Sequence, residues 1–175
     1  MIGRILHWIY CLPLWEAAVL ALMFSGAYFA LHRRYQPKAW FKVLTVFLLI
    51  CWAAGMLAHT VLNRYSHSRV IVELIPLQTY VNVYNGGDKE LLRSAFMNVL
   101  LFYPVGLLLL GLLPKWKYWQ VFLLLVLVSV GIEVCQYYFR LGYVETDDVL
   151  HNTLGALLGI LSFHQYQKYQ KNPKG

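Results

Sequence analysis

Charge is what this chain has least of. Only 13% of its 175 residues are Asp, Glu, Lys or Arg, against about 25% in an ordinary soluble domain. With 59% hydrophobic residues and a mean hydropathy of +0.53, that scarcity excludes a freely soluble domain and a disordered one. Cysteine is also short. Cys11, Cys51 and Cys135 are odd in number, lie in or beside apolar runs and have no paired spacing. They read as small apolar residues and not as a disulfide framework. The chain lacks a His-Glu-x-x-His helix, a paired-cysteine zinc spacing, a glycine-rich phosphate loop and a serine at a nucleophile elbow. Internal repeats and low-complexity stretches are absent too, so one membrane domain over residues 1–175 is expected. No cofactor is expected.

What the chain does have is apolar length. Stretches at Leu12–Leu31, Trp40–Leu62, Leu91–Leu113, Tyr118–Phe139 and Val149–Tyr166 reach or approach the ~20 residues that cross about 30 Å of hydrocarbon. The first has small residues suited to signal cleavage at Ser25-Gly26-Ala27, but Glu16 interrupts its apolar core and only Arg4 precedes it. It therefore reads as a span. The fold expected is all-α, a transmembrane bundle of about five spans.

Charge placement orients that bundle. Arg33, Arg34, Lys38, Lys42, Lys115, Lys117, Lys168, Lys171 and Lys174 fall on one side of a five-span chain, and no acid falls there. Positive loops mark the cytoplasm, so the N-terminus is expected outside and the C-terminus inside. Tryptophans Trp8, Trp15, Trp40, Trp116 and Trp119 lie near span ends, as an interfacial belt would. The net charge of +7 is thereby explained by topology. Without a basic stripe carrying interleaved aromatics, nucleic acid is not an expected partner. Membrane lipids are. The longest connection, Asn63 to Glu90, holds an apolar run (Val70 to Leu77) and the turn Asn85-Gly86-Gly87-Asp88; a connection of that length is expected to be functional or to pack back onto the bundle, its apolar run lying in the interface or dipping into the membrane.

Polar residues inside these stretches fall on helical faces. Glu133, Gln136 and Arg140 sit within about 60° of one another at 3.6 residues per turn, with Ser129 one turn below. Asp148, Asn152, Gly155 and Gly159 share a stripe on the last helix, whose glycines have the small-xxx-small spacing of closely approaching backbones. Ser94 and Asn98 share a face on the third, followed by Pro104, which removes a backbone bond and frees the Leu100 carbonyl. Asn98, Glu133 and Asn152 come out at similar depth. A structural account makes this cluster interhelical glue, with Arg140 neutralising a carboxylate, but such bonds average only about 0.6 kcal/mol. The functional account makes Asn98, Glu133, Gln136, Arg140, Asp147, Asp148 and Asn152 an outward polar pocket for a lipid or amphiphile headgroup, Arg140 being its anion contact. Glu133 is the candidate acid–base group should the protein be an enzyme. Glu133, Asp147, Asp148 and Asn152 are hard oxygen donors suited to Mg²⁺ or Ca²⁺, with no metal-binding spacing to single one out. Glu16 and His59 read as interface and interior residues.

Four segments, in order, are similar to a known family. Leu74-Ile75-Pro76, the run Asn98 to Gly106 read as N-x-x-L-F-x-P-x-G, Glu133-x-x-Gln136, and Asp147-Asp148-x-x-x-Asn152-Thr153-x-Gly155 resemble the signatures of VanZ-like membrane proteins across about residues 73–159. Glu73 and Leu77 stand where the family often has Asn and Phe, and Gly142 where it often has an arginine. The resemblance implies a multi-pass protein of the bacterial cell membrane. The family's namesake is associated with lowered susceptibility to teicoplanin. The readings this leaves are an envelope protein binding a lipid-linked or amphiphilic ligand, a membrane-embedded enzyme acting on a lipid-linked headgroup, and a small permease, the last disfavoured by the lack of an inverted repeat.

Overall fold

A computed structural model describes residues 14–36, 38–62 and 70–171. Trp8, Cys11, Asn63 and Lys174 lie outside them, as do the side chains of Trp15 and His59. The chain forms α1 (Leu14–Tyr35), α2 (Ala39–Leu57, running on as a π-helical turn Ala58–Leu62), β1 (Ile71–Glu73), α3 (Gln78–Tyr84), α4 (Glu90–Leu112), α5 (Tyr118–Tyr138), β2 (Tyr143–Glu145) and α6 (Thr146–Lys171). The architecture is an α-helical bundle in which α2, α4 and α5 are long and apolar enough to cross a membrane, with mean hydropathies of 1.9, 2.1 and 2.0. The all-α expectation holds for the bundle, with one short strand pair added to it. β1 and β2 pair in parallel, Ile71 with Tyr143 and Glu73 with Glu145. These triplets are too short for a period-2 pattern to declare itself beside the longer apolar runs.

Helix α4 is the axis of the bundle. Its Phe102, Leu107 and Leu108 are wholly buried, and α1, α2, α3, α5 and α6 all pack on it. The closest pairing is with α6. A Cβ at Gly155 would stand 2.1 Å from the Val99 carbonyl oxygen, and one at Gly159 2.1 Å from that of Tyr103. Gly106 of α4 returns the fit, since its Cβ would lie 2.4 Å from the Ala156 carbonyl oxygen. The small-xxx-small spacing thus works as expected, and the helix it approaches is α4. Without a hydrophobic drive between helices in lipid, such backbone contact is what dispersion attraction needs. Pro104 is buried in α4, and the Trp52 indole N–H donates to the carbonyl of Leu101 at 2.7 Å, one residue beyond the acceptor expected to be freed. Outward-facing positions are apolar, as on Leu22, Val43, Phe47, Ile50 and Leu127. Such surface suits lipid.

The bundle has chemically different ends. His32 meets Tyr166 and Tyr118 meets Gln167 at one, beside Arg33, Arg34, Lys117 and Lys168. At the other lie α3, the strand pair, Asp147 and Asp148.

Candidate functional site

The polar end is assembled around the first turns of α6. Asp147 is buried and accepts two backbone N–H groups of the distant loop, Leu77 to Oδ1 at 2.5 Å and Thr79 to Oδ2 at 2.8 Å. Leu77 adopts a left-handed conformation, φ 64°, just before α3. No side chain of its own caps that helix, so Asp147 does, which places a negative group at a helix N-terminus. One turn on, the Tyr80 hydroxyl and His151 Nε2 are 2.8 Å apart. These contacts and the β1–β2 pair fold the 71–84 segment back onto the bundle.

Neighbouring polar groups bind the helices to one another. Asn98 Nδ2 donates to Asp148 Oδ1 at 2.7 Å, joining α4 to α6. Asn152 Nδ2 donates to Ser129 Oγ at 3.0 Å, joining α6 to α5. The Glu145 N–H donates to Glu133 Oε2 at 3.0 Å, and Gln136 Nε2 donates to the Thr60 carbonyl at 2.9 Å. Asn98, Glu133, Gln136, Asp147 and Asn152 are all buried in the bundle. Three buried polar atoms in this cluster, Gln136 Oε1, His151 Nδ1 and Asn152 Oδ1, have no hydrogen-bond partner, while Ser129, which holds Asn152, is completely buried.

Arg140 stands apart. Helix α5 ends at Tyr138, so the helical period that put Arg140 on the Glu133 face does not reach it. It takes a left-handed conformation, φ 55°, its N–H bonds the Tyr137 carbonyl and the Leu141 N–H bonds that of Gln136. This is a Schellman helix end with arginine where glycine is usual, and the side chain is exposed. The expected anion contact is a helix terminus. The proposed metal ligands also part company: Glu133, Asp147, Asp148 and Asn152 face different partners, and among the described residues no three His, Cys, Asp or Glu side chains are grouped to hold an ion.

Beside this network is a cavity of about 280 Å³, walled by Thr79 of α3, Leu91, Ser94 and Ala95 of α4, Tyr143 and Glu145 of β2, and Asp148 and His151 of α6. Of the residues expected from sequence to bind a ligand, Asp148 lines it, while Asn98, Glu133 and Asp147 hydrogen-bond to Asp148, Glu145 and Thr79 of its wall. His151 carried a legible signal, since it lies four residues after Asp147 and three after Asp148, on the same side of the helix. Thr79, Tyr143 and Glu145 carried none, because only chain reversal and strand pairing bring them here.

The chain is 27% identical over 124 residues to "Protein VanZ" of Enterococcus faecium, a match covering 67% of this chain and 68% of that protein. No solved structure matches. The VanZ/LLP1 family model matches residues 39–167, taking in α2 as well as the signature-bearing segments from β1 through α6. The chain therefore belongs to the VanZ/LLP1 family of multi-pass bacterial membrane proteins.

Proposed function

We propose that the cavity holds the polar headgroup of a lipid or amphiphile, and that the protein crosses the membrane five times with this end outside and the C-terminus inside. The carrying observation is a space of about 280 Å³ walled by Thr79, Ser94, Glu145, Asp148 and His151 in a bundle whose surface is otherwise suited to lipid. Ionisable groups in such a place are costly and default to function. The orientation rests on the basic residues gathered at the opposite end. In a resistance setting, holding an amphiphile at the outer surface would lower susceptibility to teicoplanin-type glycopeptides.

The test is native mass spectrometry of the full chain extracted with its lipids. Wild-type protein should retain a bound species, and Ser94→Phe, which fills the cavity from an exposed position of α4, should release it. Equal retention by both would overturn the headgroup reading. Reporters fused after Gly175 and in the Asn85–Asp88 turn should be cytoplasmic and external; an even span count would overturn the orientation.

A second reading, an enzyme acting on a lipid-linked headgroup, is favoured by His151. One ring nitrogen is held at Tyr80, the other has no partner, and the ring lies in the cavity wall. Glu133 is the other candidate acid–base group. Glu133→Gln keeps an oxygen for the Glu145 N–H but cannot titrate. Acid–base catalysis contributes roughly 10²–10⁴-fold, so an enzyme using Glu133 would lose its cellular effect, whereas a binder would keep most of it at equal membrane abundance.

A further inference from the structure

The segment from β1 to α3 exposes apolar side chains that nothing among the described residues covers. Leu74 is 70% exposed, Ile75 67%, Leu77 56% and Tyr84 91%. Surface of this kind outside a membrane span is unusual on a soluble loop. Beside it α5, which packs on β2, exposes Val134, Tyr137 and Tyr138, and the paired strand exposes Tyr143.

The depth of the segment follows from its bonds. The Glu145 N–H reaches Glu133, which lies five residues before α5 ends at Tyr138. At 1.5 Å per residue that is about 7 Å back along the helix. The 21 residues of α5 measure about 32 Å, close to the thickness of the hydrocarbon core. β2, and β1 with Glu73 opposite Glu145, therefore run alongside the last turns of a membrane-length helix and not above it. Irregular backbone at that level needs its polar groups satisfied within the protein. The strand pair and the Asp147 carboxylate, which accepts from Leu77 and Thr79, do much of this. Tyrosine, with an apolar ring and a polar tip, suits the headgroup level.

We propose that the Ile71–Tyr84 segment is embedded in the lipid leaflet at this end of the bundle, with Leu74, Ile75 and Leu77 among the upper acyl chains and Tyr84 at the headgroups. The inference goes beyond the headgroup reading and stands without it. Because Thr79 of the same segment forms part of the cavity wall, any ligand of the cavity meets this lip from the lipid phase.

The test uses the full chain with its native cysteines replaced and single cysteines placed in turn at Leu74, Ile75, Asp88 and Leu127. Each is labelled with an environment-sensitive fluorophore and reconstituted in phosphatidylethanolamine–phosphatidylglycerol vesicles. Lipid carrying a nitroxide high on its acyl chain should quench the labels at 74 and 75 several-fold more than the label at 88. Aqueous iodide should do the reverse, and Leu127 gives the response of a span. Iodide quenching at 74 and 75 equal to that at 88 would place the segment in water. Protection from both quenchers would mean that protein, such as a second copy, covers it. Either result overturns the proposal. Position 74 reports if labelling at 75 disturbs folding, which gel filtration of each sample shows.

Discussion

At its first turns α6 is held through the hydrogen bonds of Asp147, Asp148, His151 and Asn152, whereas at its far end packed rings join two hydrogen bonds. There Tyr166 stacks on Phe29 with centroids 4.5 Å apart and planes 4° from parallel, while His32 meets Phe163 and Tyr166 edge-on. The same helix, packed on the same neighbour, is fastened in two ways. The aromatic end adds only the bonds of Tyr166 to His32 and Tyr118 to Gln167, borders an open, mostly apolar groove along Phe29, Leu158 and Tyr166, and leaves the buried Tyr28 hydroxyl without a partner. The polar end leaves a cavity and three unpartnered atoms, on Gln136, His151 and Asn152. Buried polar groups are ordinarily satisfied. Among the described residues, three of the four buried side-chain atoms without a partner lie at the polar end.

The glycine seam between the two ends is where the comparison breaks most readily. Gly155→Leu would drive a side chain into the Val99 carbonyl, and backbone cannot yield as a flexible side chain does. Overpacking costs about 1–3 kcal/mol and more where backbone must move, so this variant should show the lowest unfolding midpoint and membrane abundance. A Gly155→Leu protein as stable as wild type would mean that α4 and α6 are not in backbone contact.

Asp147→Asn probes the polar end alone. An amide offers one acceptor oxygen where two N–H groups converge, leaving one buried donor unpaired at a cost of about 1–3 kcal/mol. Hydrogen exchange should quicken at Thr79 and α3 while the aromatic end stays protected. Uniform loss of protection in both regions would show that the ends are not separable.

Phe29→Leu probes the other end and should cost less, about 0.5–1.5 kcal/mol for the lost ring pair. Stability should fall slightly and lipid retention by native mass spectrometry should not change. Lost retention would couple the aromatic end to the cavity.

The smallest effect is expected at Arg140. Glycine relieves a left-handed conformation that costs an L-residue about 1–2 kcal/mol, offset in part by the extra freedom glycine has when unfolded. Arg140→Gly should be neutral to slightly stabilising in thermal unfolding and leave retention intact. A marked loss of retention would restore Arg140 to the site.

The sequence by itself determined the features that depend on local period and composition. Apolar length gave the long helices, the Gly155–Gly159 spacing gave a close helix pair, and the expense of polar groups in lipid singled out Asn98, Glu133, Asp148 and Asn152. Arg140 misled because helical period was carried past a helix end that no proline or glycine at that position announced. What only the tertiary structure decided is everything that depends on chain reversal. The β1–β2 pair joins residues about seventy apart in sequence, Asp147 finds its donors in the 71–84 segment, and the cavity draws its wall from four elements. Local preference fixes which face of a helix is polar, but which backbone that face meets is set by how the helices pack, and three-residue strands have too few side chains to declare a partner in advance.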